Sequence, residues 1–104
     1  MFARVSTYEL EQGRASEALE AFEPAIENIR GLDGFVDGFF LVERDGLQAV
    51  TVTLWESLDA MERSHVTASR ARSEAAHGAG ATVTSTYEYE VGLHVGSAMA
   101  GRSD

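Results

Sequence analysis

His65 is the histidine best suited to act as a base, because it stands in a helical stripe with Leu58, Met61, Ala68, Arg72 and Ala75. A neutral imidazole with a pKa near ~6.5 can take a phenolic or carbon-bound proton at physiological pH. A half-buried histidine held by backbone or by a glutamate is the plainer alternative at this position. Near the start of the chain Arg4, Ser6 and Tyr8 share one face of an extended segment, and Thr51 and Thr53 share a face with Trp55. If those faces look into a cavity, they supply the few polar anchors that an apolar small-molecule pocket needs. If they face a second subunit, Arg4 is an interface ion-pair residue. Trp55 either plugs one end of the core or lines the pocket.

The remaining polar residues point to no other chemistry. His77 reads as a helix-terminus residue and His94 lies near the chain end; their spacings match no usual metal set, so no metal is expected. Glu17, Glu20, Glu23 and Glu27 form a solvated helix face. There is no nucleophile triad, P-loop or dinucleotide fingerprint.

Seventeen acidic against eight basic residues give a formal charge of −9, which repels phosphate backbones and anionic membrane surfaces. The chain is therefore expected to bind neither nucleic acid nor membrane. It contains no cysteine, so disulfides and thiolate metal sites are excluded. Met1-Phe2-Ala3-Arg4 does not read as a secretory leader, and the apolar string Phe39 to Val42 is too short to span a bilayer. A cytoplasmic location is the default expectation.

The elements that must position these residues follow from periodicity. Phe2 to Leu10 reads as a first strand, ended by Glu11-Gln12-Gly13. A helix is expected from Ser16, as N-cap, to Arg30, with Leu19, Phe22, Ile26 and Ile29 on its buried stripe and a kink at Pro24. Gly31-Leu32-Asp33-Gly34 stops it, and a second strand runs from Phe35 to Glu43. Strict alternation puts Phe35, Phe39 and Leu41 on one side of that strand and Val36, Phe40 and Val42 on the other. Arg44-Asp45-Gly46 is a hairpin turn leading to a third strand, Leu47 to Trp55. Ser57 caps one continuous second helix, which Ala76-His77-Gly78-Ala79-Gly80 terminates. A last strand is expected from Thr82 to Val95. Residues 1–95 thus form one domain, followed by a flexible tail over 96–104.

Two β-α-β units joined by a hairpin make an α+β, ferredoxin-like βαββαβ fold, with two helices on one face of a four-stranded antiparallel sheet. Two helices cover only one face of such a sheet, and the second strand is apolar on both sides, so a partner subunit is expected.

The element order, together with Ala3-Arg4-Val5, Gly31-Leu32-Asp33-Gly34-Phe35 and Thr53-Leu54-Trp55-Glu56-Ser57 followed by Ala60-Met61, resembles the antibiotic-biosynthesis-monooxygenase-like family over Phe2 to Val95. The resemblance implies a homodimeric α+β barrel, with a small cavity between each sheet and its own helices. It also implies cofactor-independent oxygenation of a small aromatic or polyketide-like substrate, with His65 as base, Arg72 or Arg4 as anion partner and Trp55 with Met61 as walls. Ser6 and Thr51 would add substrate contacts.

Trp55 matches the tryptophan of the quinone-forming oxygenases, whereas Thr51 and Met61 replace their asparagine and tyrosine, and Arg70 or Arg72 stands for their helix arginine. Of the haem-degrading branch's trio, Ser6, Ser64 and Ser73 occupy the positions of the asparagine, tryptophan and axial histidine. The alternatives are a non-catalytic small-ligand-binding dimer and, third, a haem-degrading oxygenase.

Overall fold

A computed structural model of the chain describes residues 1–96. Its elements are β1 (Phe2–Glu9), α1 (Ala15–Arg30), β2 (Phe35–Val42), β3 (Gln48–Trp55), α2 (Leu58–Arg63), α3 (His65–Ala79) and β4 (Thr82–Glu90). The strands form one antiparallel sheet in the order β2-β3-β1-β4, the ferredoxin-like arrangement expected from the sequence. The expected C-terminal tail lies, from residue 97 onward, outside the described residues. Among the described residues no helix is long and apolar enough to cross a membrane.

The turn between β2 and β3 forms as its Asp-Gly pair requires: Gly46 takes a positive φ of 75°, and the Asp45 carboxylate accepts from the Leu47 amide at 2.9 Å. Helix α1 runs unbroken through Pro24. Arg14, not Ser16, stands at its N-cap, and the Arg14 guanidinium binds both Glu11 and Glu17. Ala18, Phe22 and Ile29 are buried on α1, while Leu19 faces solvent, which corrects its expected place in the core. Small side chains win the inner positions because α1 and α3 pack closely; a Cβ added at Gly78 would lie 3.9 Å from the Ala21 Cβ.

The single second helix expected from the sequence is in fact two, divided at Ser64. The Ser64 hydroxyl donates to the Met61 carbonyl at 2.6 Å and competes with regular helix bonding at the break. The buried stripe runs through Met61, Ser64, Ala68, Ala71 and Ala75, so His65 is turned out to solvent.

Strand β2 contains a register shift between Phe35 and Asp37, which pair with Trp55 and Leu54. One extra residue reverses the facing of what precedes it. Phe35 therefore joins the helix side, where it meets Trp55 edge-on at 5.5 Å, while Phe39 and Leu41 stay on the opposite face. Phe40 completes the helix-side core by stacking on Phe22, which also meets Tyr8 edge-on.

Strand β4 stops at Glu90, short of the expected Val95. One further bond, from the Val91 amide to the Met1 carbonyl, extends the pairing, and Leu93 and Val95 beyond it are exposed. The sheet face away from the helices leaves Phe39, Leu41, Tyr87 and Tyr89 about half exposed, with Tyr87 reaching 61%.

Gly34, with φ of +81°, gives its carbonyl to the Glu56 amide and lies so close to Ala60 that a methyl group there would overlap the alanine side chain. Gly34→Ala is expected to cost on the order of 2 kcal/mol in urea unfolding through backbone strain and overlap together. An unchanged midpoint would contradict this turn geometry.

Candidate functional site

Between the sheet and the helices lies a cavity whose floor is polar and whose roof is apolar. Arg4, Ser6 and Tyr8 of β1 with Thr51 and Thr53 of β3 make the floor; Ala25, Ile26 and Ile29 of α1 with Ala68, Ala71 and Arg72 of α3 make the roof and wall. The empty space, with its mouth, is about 380 Å³. Its inner part is tight, about 30 Å³, enough for about one or two waters.

Arg4 is 4% exposed and fully engaged on three sides. Its Nε donates to Glu88 at 3.0 Å, Nη2 to the Met61 carbonyl at 2.9 Å and Nη1 to the Ser64 hydroxyl at 3.1 Å. Its guanidinium carbon also lies 6.0 Å from the centre of the Trp55 ring, a favourable cation–π placement. Glu88 is half-exposed at the end of this network. The floor is otherwise held by hydroxyl pairs: Ser6 with Thr86 at 2.9 Å and Tyr8 with Thr51 at 2.9 Å.

Arg72 differs from Arg4. It is half-buried at the cavity wall, and among the described residues no carboxylate pairs with it. Desolvation lowers the pKa of its guanidinium, partly opposed by the nearby Tyr8 and Glu88; it stays charged at any physiological pH. Burial raises the Tyr8 phenol above its ordinary 10.0, against the downward pull of Thr51, the Arg72 charge and Ser6. Tyr8 is thus a hydrogen-bond donor or acceptor at neutral pH and not a base.

Of the residues singled out from the sequence, Arg4, Ser6, Thr51 and Arg72 come together in this cavity. Trp55 and Met61 do not line it. They form an adjoining core cluster with Ala60, and the Trp55 indole donates to Thr53 at 3.0 Å. Trp55 therefore acts as a core plug that backs Arg4. His65, exposed at the start of α3, lies outside the cavity, which corrects its expected place on the buried stripe.

The lining contains no histidine, cysteine or carboxylate. It offers hydrogen-bond donors and positive charge. Sequence reasoning missed the contribution of α1 to the roof and the roles of Ser64 and Glu88, since an isolated serine or strand glutamate carries no signal until Arg4 is known to be buried.

Two measurements test this geometry. Arg4→Met removes the donor shared by Glu88, the Met61 carbonyl and the Ser64 hydroxyl, leaves Glu88 without its cation, and is expected to destabilise the fold by about 2–3 kcal/mol; a loss under about 0.5 kcal/mol would show that the network contributes little. Because the folded-state pKa of Tyr8 is raised, its contribution to stability is complete below the unfolded value and declines as pH rises through the folded one. Ultraviolet titration should show a phenol that ionises later than free tyrosine. Tyr8→Phe should remove that late step, and a late step that survives would reassign it.

No family model matches the chain, and none of the curated proteins matches it. Solved structures do. A putative antibiotic biosynthesis monooxygenase from Deinococcus radiodurans superposes with a TM-score of 0.71 at 18% identity, over 92% of this chain and 97% of that one. The haem degrader MhuD from Mycobacterium tuberculosis, solved with two haems in its active site, gives 0.69 at 24% identity over 92% and 100%. SnoaB, a cofactor-independent oxygenase from Streptomyces nogalater, gives 0.68 at 19% identity over 90% and 95%. The chain has the ferredoxin-like α+β fold of the antibiotic biosynthesis monooxygenase-like proteins.

Proposed function

We propose that the cavity binds a compact aromatic or polyketide-like molecule as its phenolate or enolate, and that the protein is a homodimeric, cofactor-independent monooxygenase for it. The observation that carries this reading is the unpaired, half-buried charge of Arg72 beside a floor of hydroxyl groups. In so dry a site a guanidinium favours the ionised form of a weakly acidic ligand and holds its charge as it moves during reaction. SnoaB, of the same fold, is a cofactor-independent oxygenase.

The scheme needs no separate base within the cavity. Once the ligand has lost a proton to solvent, its carbanion passes electrons to dioxygen and a carbon–oxygen bond forms. The oxygen–oxygen bond then breaks; one oxygen stays as a carbonyl and the other leaves as water, so that R2CH2 and O2 give R2CO and H2O. Arg72 holds the anion, Ser6 and Thr51 orient its oxygens, and Arg4 adds positive field from the floor. The roof of Ala25, Ile26 and Ile29 excludes water from the intermediate. Trp55 and Met61 stiffen the far end, and His65 takes no step.

One observation supports a second reading, a ligand-binding dimer without catalysis: no lining residue is a base.

Dimerisation is supported by the uncovered sheet face, where Phe39, Leu41, Tyr87 and Tyr89 sit opposite the helices. Pairing two such faces would bury these side chains, each gaining up to roughly 1.5–3 kcal/mol on full burial.

Oxygen uptake with a panel of anthrone- and hydroquinone-type phenols separates the readings. The wild type should consume oxygen, and Arg72→Met should slow it at least about tenfold; equal rates would remove Arg72 from the mechanism. Binding without uptake would establish the non-catalytic reading. In sedimentation the wild type should be a dimer at micromolar concentration and Phe39→Asp a monomer, whereas a well-folded wild-type monomer would end the dimer proposal.

A further inference from the structure

We infer that ligands reach the cavity through the seam between α1 and α3, over Ala25 and Ala71, and that these two residues and Pro24 govern access. The inference builds on the ligand cavity proposed above, but its physical basis is separate. On the outer side of the helix pair lies a groove bounded by Ala21, Pro24, Ala25 and Glu27 of α1 and by Ala71 and Ala75 of α3, among others. The groove is far roomier than the cavity, about 580 Å³ against about 30 Å³.

Ala25 and Ala71 line both spaces. On this side each helix contributes only a methyl group between the inner cavity and the solvent groove. Elsewhere the hydrogen-bonded sheet forms the floor, Ile29 packs with Ala68 and Ala71, the aromatic group of Tyr8, Phe22 and Phe40 fills the neighbouring core, and Ile26, a larger side chain, stands between the cavity and a second groove beside β2.

The seam can also move. Pro24 has no amide proton, so the Glu20 carbonyl lacks its helical donor, and the ring crowds that turn. The weakened turn lies next to Ala25, where a small outward shift of α1 would join groove and cavity. Since the inner space is too tight for an aromatic ring as it stands, some opening must precede binding.

The test uses a natural advantage of the chain, its lack of cysteine. Ser6 lies on the cavity floor and is 1% exposed, so Ser6→Cys reports access to the cavity through its rate of alkylation by iodoacetamide. Ala49→Cys, equally buried in the core but outside both spaces, reports general unfolding. Pro24→Ala restores the helical donor, and Ala25→Leu thickens the wall; each should slow labelling of Cys at position 6 by about fivefold or more relative to the control position.

An unchanged ratio in both variants would overturn the inference and place access elsewhere, for instance beside β4. If Ala25→Leu does not fold, Pro24→Ala alone decides the matter. No natural ligand is needed, so the result stands apart from whether the cavity supports oxygenation.

Discussion

A guanidinium buried on an interior strand must find acceptors, and the arrangement around the cavity follows from how Arg4 finds them. An unpaired charge in such a place would cost several kcal/mol. Arg4 takes the Met61 carbonyl and the Ser64 hydroxyl from the end of α2, and Glu88 from β4. The acceptors lie where the helix breaks, so break and buried charge stabilise each other. From that break α3 sets out with Ala68, Ala71 and Arg72 towards the sheet. One arginine is thereby committed to structure, which leaves the second as the free charge of the site.

The same division of labour runs through the sheet. Its helix side carries a hydroxyl-rich strip along β1 and β3, flanked by the aromatic groups around Phe22 and Trp55. Those groups supply the packing that a polar strip cannot. Alanine-rich helices settle closely over it, leaving a narrow space with donors below and methyl groups above. Its opposite side is apolar and, among the described residues, uncovered, since helices packed on one face cannot reach the other. The two faces of the layer thus differ in character, one polar and lining the cavity, the other apolar and open.

Much of this was legible in the amino-acid sequence, and the parts that were not have definable causes. The hairpin was readable because Asp45-Gly46 requires a particular backbone geometry, and α1 because Phe22, Ile26 and Ile29 keep helical phase. Arg4, Ser6 and Thr51 were recognisable as a set because alternation fixes which strand residues share a face. Phe35 was misplaced because a single extra residue in β2 reverses the alternation, and no residue type announces it. His65 was preferred to Ser64 because an imidazole looks functional and a serine looks neutral. The hydroxyl is the one that belongs inside, since Arg4 satisfies it. Hydrophobicity alone places Leu19 in the core, whereas close helix packing favours Ala18 and Ala21.

The central claim is that Arg4 is a structural cation and Arg72 the ligand-facing one. Arginine side-chain Nε–H resonances, observed by nitrogen-15 NMR during titration with 2-naphthol as a single-site probe, test it directly. The Arg4 signal should be protected from solvent exchange and move little, while the Arg72 signal shifts with saturation. A freely exchanging Arg4, or an Arg72 signal that stays fixed while the probe binds in the cavity, would contradict the account.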